Sequence, residues 1–183
     1  MLLTWHGATC IHLQSGDATV ILDPLDRRLK ADAYVFTNEK RPGFSAFKNS
    51  DAFTVTHPGE YEVGGISVHG TAMNGETVYT LAAEGIVVGH LGAINRPPTG
   101  TEIETLLDID ILCIAVGKEG LSPRHATEVV SAVEPRIILP LGDGAAAFCK
   151  EMGAKNIDAQ PKLRIVKKDL PTDDVRVIVL QKA

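Results

Sequence analysis

Short apolar runs, none longer than a strand needs and each closed by a glycine or proline turn, fill the first half of this chain and constrain its fold more than any other feature. Residues 2–5, 9–13 and 19–22 are three such runs, spaced by Gly7 and by Ser15-Gly16-Asp17. A brief Gly-containing spacer between two apolar runs predicts a hairpin. The third run ends on Asp23-Pro24, and proline, with no backbone N–H, stops a ladder there. A fourth run at 33–37 opens onto Asn38-Glu39-Lys40-Arg41-Pro42-Gly43. The same grammar returns at 53–56, 60–63 and 66–69, punctuated by Pro58-Gly59 and Gly64-Gly65, and in a second hairpin, 77–82 and 86–90, about Glu84-Gly85. That hairpin ends on Gly89-His90-Leu91-Gly92, much as the first ends on Leu22-Asp23-Pro24, a pattern of two pseudo-repeated halves.

After Pro97-Pro98 helices and strands alternate. Thr99 as N-cap with Glu102 three residues on predicts a helix over 99–107. Residues 110–116 are a buried-strand run, and Ser122-Pro123 starts a helix that runs to Val133 and stops before Pro135. A strand at 136–139, a helix at 143–152 closed by Gly153 and a strand at 175–180 complete the chain. Hairpins first and βα units later give a mixed α/β arrangement of sheets covered by helices. No low-complexity stretch or long linker interrupts it, so residues 1–183 are read as one domain.

The charge balance narrows function. A formal net charge of -5 argues against a general nucleic-acid or anionic-membrane surface, which needs a basic face. Cys10, Cys113 and Cys149 are too few and too irregular for a disulfide framework and read as small buried hydrophobes. No apolar stretch approaches the roughly 20 residues of a membrane span, and no charged leader precedes the first strand pattern. A cytoplasmic protein with reduced thiols is the expectation.

Six segments, in order, carry a family resemblance. Thr4-Trp5-His6-Gly7-Ala8-Thr9-Cys10 leads into a hairpin ending on Leu22-Asp23-Pro24; then come Pro58-Gly59-Glu60-Tyr61-Glu62-Val63, Gly89-His90-Leu91-Gly92, Glu134-Pro135-Arg136-Ile137-Ile138-Leu139-Pro140 and Lys167-Lys168-Asp169-Leu170-Pro171. Together they resemble the metallo-β-lactamase superfamily, in its lactonase-like branch of predicted zinc hydrolases, over nearly the whole chain. The resemblance implies an αββα sandwich of two mixed β-sheets flanked by helices. It also implies a two-metal site fed by an H-x-H-x-D-H loop after the fourth strand, a further histidine, a bridging aspartate and a last histidine. Such metals supply hydroxide near neutral pH and polarise the scissile bond.

This sequence departs from that pattern at every ligand. Asn38, Lys40, Pro42 and Gly43 stand where the loop's ligands are expected, Asn74 where the next histidine falls, Ala93 for the bridging aspartate and Gly142 for the last histidine. A lysine ammonium offers no lone pair at neutral pH and, at roughly 4 Å and an effective dielectric near 20, repels a dication by about 8 kcal/mol. The ancestral zinc is therefore expected to be lost, with no cofactor in its place. The vestigial pocket is expected to comprise Asp23, Asn38, Glu39, Lys40, Asn74, His90, Ala93, Gly142 and Asp143, with Glu39 pointing outward and Lys40 aimed inward and neutralised by Asp23. If Pro42 and Gly43 redirect the loop, Lys40 is instead solvated, and Asp23 can cap the backbone of the Asn38 loop.

The remaining candidates have bland readings. None of His6, His12, His57, His69, His90 and His125 shows metal-motif spacing; His90 reads as a structural hydrogen-bonding group at the site edge, His69 as a strand end and His125 as solvated. Arg27, Arg28, Lys30, Lys48 and the Glu39-Lys40-Arg41 run could form a modest basic rim. No serine or cysteine nucleophile motif is present. The expected function is a non-catalytic binding or interaction module, partnered by its own copies or by an active relative. One alternative is a hydrolase with a displaced, metal-independent site drawn from Asp23, Glu39, Lys40, His90 and Asp143. A nucleic-acid-associated protein is a second alternative, disfavoured by the charge.

Overall fold

The computed structural model describes residues 1–47, 51–154 and 159–183. Two-residue turns fold the early strands back on themselves. β1 (Leu2–Gly7) and β2 (Cys10–Ser15) pair antiparallel, and β3 (Ala18–Leu22) returns from β2 with Ser15 facing Ala18. β4 (Ala33–Val35) and β5 (Thr54–Val55) add in parallel. The second sheet starts with the antiparallel meander β6 (Gly59–Val63), β7 (Ile66–Met73), β8 (Glu76–Ala83) and β9 (Ile86–His90). After α1 (Gly100–Glu104), β10 (Ile111–Ala115) lies parallel to β9. After α2 (Pro123–Val133), β11 (Ile137–Leu141) lies parallel to β10. Beyond α3 (Ala145–Glu151), β12 (Leu163–Arg164) joins the free edge of β1, and β13 (Arg176–Val177) runs parallel to β11. Both sheets are mixed: β12-β1-β2-β3-β4-β5 faces β13-β11-β10-β9-β8-β7-β6.

Alternation along the strands explains the stacking. Leu3, Ile11, Leu13, Val20, Leu22 and Val35 of the first sheet meet Val68, Leu81, Val88, Ile111, Ile137 and Leu139 of the second in one buried core. β10 and β11 are buried along their whole length because their other face, with Leu112, Ile114 and Ile138, is covered by Val129, Val130 and Val133 of α2 and Phe148 of α3. The first sheet's outer face is covered differently. Cys10, Ile21, Tyr34 and Phe36 pack beneath Leu29, Phe44 and Phe47, carried by loops and a single 3-10 turn at Phe44–Ala46.

The capping signals act as expected. Thr99 and Glu102 form a reciprocal capping box, and the Ser122 hydroxyl accepts from the His125 N–H at 3.2 Å. α1 is shorter than predicted because the chain turns after Thr105 to bury Leu106 and Ile109 against the second sheet. All three cysteines are buried free thiols, and burial pushes those of Cys10 and Cys113 up to about 12. Among the described residues no helix is long and apolar enough to cross a membrane.

Candidate functional site

The site is built from the loops that leave β3, β4 and β9 at one edge of the sandwich. Asp23 leaves β3 with φ 45°, a left-handed conformation that an aspartate tolerates, and its side chain is buried. Its carboxylate accepts from the Thr37 backbone N–H at 2.8 Å, and its two oxygens stand 2.9 and 2.8 Å from the Thr37 hydroxyl. Asp23 N–H in turn donates to Val35 O at 2.7 Å. The ends of β3 and β4 are thus locked together, one link from the second sheet, where Thr77 N–H donates to Thr37 O at 2.7 Å.

The loop after β4 then decides which cation enters. The Asn38 side-chain oxygen accepts from Lys40 N–H at 2.9 Å, and Arg41 N–H donates to Asn38 O at 3.0 Å. That Asx-type turn puts Glu39 and Lys40 on the exposed corner and brings Arg41 back over Thr37. Arg41 Nε–H donates to Thr37 Oγ1 at 3.1 Å and stands 3.6 Å from Asp23, while Nη2 donates to Glu76 Oε2. Arg41 and Glu76 are 17% and 14% exposed, so this ion pair is largely screened from water. Asn38 completes the group by donating to Gly75 O at 3.0 Å and Glu76 Oε1 at 3.3 Å. The expected Lys40–Asp23 pair is corrected accordingly: the inward cation is Arg41, and Lys40 is solvated. Gly43 holds the loop down, since a Cβ there would lie 1.7 Å from Pro24 O.

His90, at the end of β9, is fully buried. Its Nε2 lies 2.7 Å from Thr9 O, and its Nδ1 accepts from Gly92 N–H at 3.2 Å. An acceptor at Nδ1 and a carbonyl at Nε2 assign the neutral tautomer protonated on Nε2. Burial lowers its pKa, against an opposing pull from the Asp23 carboxylate. Both ring nitrogens are therefore occupied within the protein, in keeping with the hydrogen-bonding role read for it. Gly92 approaches Thr37 so closely that a Cβ would lie 2.7 Å from the hydroxyl. The loop carrying Ala93 is thereby seated on the same cluster.

Beside this cluster, at the carboxyl ends of β10 and β11, lies an open cleft of about 440 Å³ walled by Trp5, Thr9, Val116, Lys118, Gly142 and Asp143 among others. Thr9 joins the two features, its carbonyl on His90 and its residue on the cleft wall. Asp143 accepts from the Lys118 backbone N–H at 3.0 Å.

Of the expected pocket residues, the structure brings Asp23 and Asn38 onto the Arg41 cluster, His90 and the Ala93 loop against it, and Gly142 and Asp143 to the neighbouring cleft. Glu39 and Lys40 stay outside. Asn74 occupies the exposed turn of the β7–β8 hairpin with Gly75, φ 55° and 77°, and donates to Asn95 at 3.1 Å. Its position is set by that Asn-Gly turn. The basic rim is thinned, with Arg41 turned inward and Arg28 paired to Asp26 at 2.5 Å; Lys48 lies outside the described residues. Arg41, Glu76, Thr37 and Thr9 are site residues that sequence reasoning passed over. The Asn-Gly pair just before Glu76 was a legible signal, since it fixes which strand end faces the loop.

The donor set does not fit the metal pair that the family's fold implies. Pro42, Gly43, Ala93 and Gly142 offer no side-chain ligand, Asn38 is spent on its neighbours, and a guanidinium lies among the remaining carboxylates. Among the described residues no group of three or more His, Cys, Asp or Glu could hold a metal ion.

The chain matches the family described as the beta-lactamase superfamily domain over residues 2–142. A Thermotoga maritima protein assigned as a Zn-dependent hydrolase of the metallo-β-lactamase superfamily superposes with a TM-score of 0.81 at 23% identity, over 99% of this chain and 100% of its own. A Parabacteroides distasonis protein assigned as a metal-dependent hydrolase gives 0.71 at 16% identity, over 98% of this chain and 93% of its own. A metallo-β-lactamase fold protein of Bacillus subtilis gives 0.69 at 9%, over 99% and 96%. At these identities the likeness establishes the fold alone. No curated protein matches the chain significantly.

Proposed function

The chain belongs to the β-lactamase superfamily, and from that premise we propose that it is a non-catalytic member acting as a binding module. The observation that carries this reading is Arg41. A fixed guanidinium, held by Glu76 and Thr37 and standing 3.6 Å from Asp23, lies among the loops where relatives would gather a metal pair. It is covalently part of the chain and cannot supply a hydroxide. With Glu76 and Asp23 engaged, the cluster offers neither a free base nor an open coordination position.

Binding is supported by the neighbouring cleft. Its volume, about 440 Å³, lies within the range that small-molecule sites occupy. Trp5, Val116 and Leu141 give it an apolar wall, and Lys118 and Asp143 stand at its mouth. The metal-free hydrolase reading is less well supported. Among the described residues no hydrogen bond joins any two of Asp23, Glu39, Lys40, His90 and Asp143, so they do not assemble an acid–base group.

The test uses tag-free protein assayed on an aryl ester, a lactone and an aryl phosphodiester with added Zn²⁺, Mn²⁺ or Fe²⁺. Rates are expected to match buffer and to be indistinguishable from those of Arg41→Met. A metal-stimulated rate abolished by Asp23→Asn would overturn the reading. As an independent check, a His6→Gln/His12→Gln double variant should contain well under one equivalent of zinc, iron or manganese.

A further inference from the structure

A pair of histidines, His6 and His12, lies on the outer face of the first sheet, away from the inter-sheet core. Ile11 and Leu13 point into the inter-sheet core, so His12 between them faces outward, where it pairs across the strands with Ile21 of the outer cluster. His6, beside the inward-packed Trp5, faces the same way. The two rings lie 5.9 Å apart, centre to centre, tilted by 32°.

Nε2 of each ring is buried, and among the described residues neither has a hydrogen-bond partner. Burying an unpaired polar atom costs about 1–3 kcal/mol, so two side by side ask for an explanation. They cannot satisfy each other. With about 1.1 Å from a ring centre to its nitrogen, these nitrogens come no closer than about 3.7 Å, beyond a direct hydrogen bond. One atom between them would serve both.

We propose that His6 and His12 together bind one imidazole-preferring transition-metal ion, of the Zn²⁺ or Cu²⁺ class, with water in its remaining positions. With metal–nitrogen bonds of about 2.0–2.1 Å, two imidazoles on one ion place their ring centres about 5–6 Å apart, and the observed spacing fits. The Nδ1 atoms are not among the buried unpartnered groups, so each can carry its proton toward solvent and leave the buried Nε2 lone pair free for a ligand. Burial holds both rings in the neutral form that a metal needs, and for His12 the neighbouring His6 adds to the effect. A cleft of about 440 Å³ beside His6, walled by Cys10, Leu25, Asp26 and Leu29, gives an ion a way in. Asp26 is already drawn to Arg28 at 2.7 Å, and the donors are the two imidazoles.

The experiment is calorimetric titration of the tag-free protein with ZnCl₂ and with CuSO₄ at pH 7.5, alongside ¹⁵N spectra of the histidine side chains. One ion per chain is expected, bound more tightly as Cu²⁺ than as Zn²⁺, with the Nε2 resonances of His6 and His12 shifting and that of His90 unmoved. His6→Gln or His12→Gln should each weaken binding at least tenfold, whereas Arg41→Met should leave it unchanged. No saturable binding up to millimolar metal would overturn the proposal and leave a bridging water as the common partner. Binding that survives both histidine substitutions, or shifts other histidines instead, would overturn it equally. The wild-type spectra decide the matter even if a variant fails to fold.

Discussion

At the scale of single residues, the chemistry of this edge turns on what Asn38 does to its successors. Its side chain was legible as a lost ligand. Its effect on direction was not, because an Asx turn that sends residue 40 out and residue 41 in depends on the carbonyl and amide geometry of four consecutive residues. The pattern of charges alone could not separate Lys40 from Arg41. His90 was legible only in part: its Gly92 N–H partner is local, whereas its Thr9 O partner comes from 81 residues away.

His90 also makes a pH prediction. Its folded pKa is lowered by burial, as are those of His6 and His12, whereas an unfolded histidine titrates near about 6.5. Below that value the unfolded chain binds protons that the folded chain resists. Stability is therefore full above about pH 6.5 and falls as the pH drops toward the lowered folded values. Urea unfolding between pH 8 and 5 should show this decline, with a shallower slope in His90→Asn. An identical slope in that variant would mean that His90 is not held neutral.

Among the elements, the strands were readable and the coverings were not. Hairpins declare themselves through local turn residues, and β10 and β11 through uninterrupted apolar runs. β12, two residues long, exists only because it meets β1 from far along the chain, and nothing local announces it. The outer layer over the first sheet is likewise a matter of long-range packing, of Phe44 and Phe47 onto Phe36 and Tyr34. The loop joining that layer to the site depends on Gly43. Gly43→Ala would drive a methyl group into Pro24 O, and the loop would have to move away. The expected cost is about 2–3 kcal/mol of stability, in the range of strained core substitutions, with loosened hydrogen-exchange protection at Thr37 N–H. A neutral Gly43→Ala would show that the loop does not rest on Pro24. In the loop that leaves β10 beside the cleft, Ser122→Ala should cost about 1 kcal/mol by removing the α2 cap.

For the whole molecule, the Arg41 cluster matters because of what it connects. Asp23 and Thr37 belong to the first sheet's loops and Glu76 opens β8 of the second, so one guanidinium ties the two halves of the sandwich at the edge where the family resemblance implies a metal pair. Sequence could show that the ligands were gone, residue by residue. It could not show what replaced them, because the replacement is a contact between positions 35 residues apart. The most direct measurement is a double-mutant cycle on unfolding free energy with Arg41→Met and Glu76→Gln. Each single change should cost about 2–4 kcal/mol, because it strands a largely buried charge. The double variant should recover enough to give a coupling above about 1 kcal/mol, unchanged by chelator or added Zn²⁺. Coupling below about 0.5 kcal/mol, or a coupling that changes with chelator or added Zn²⁺, would contradict a fixed cation standing in place of a metal pair.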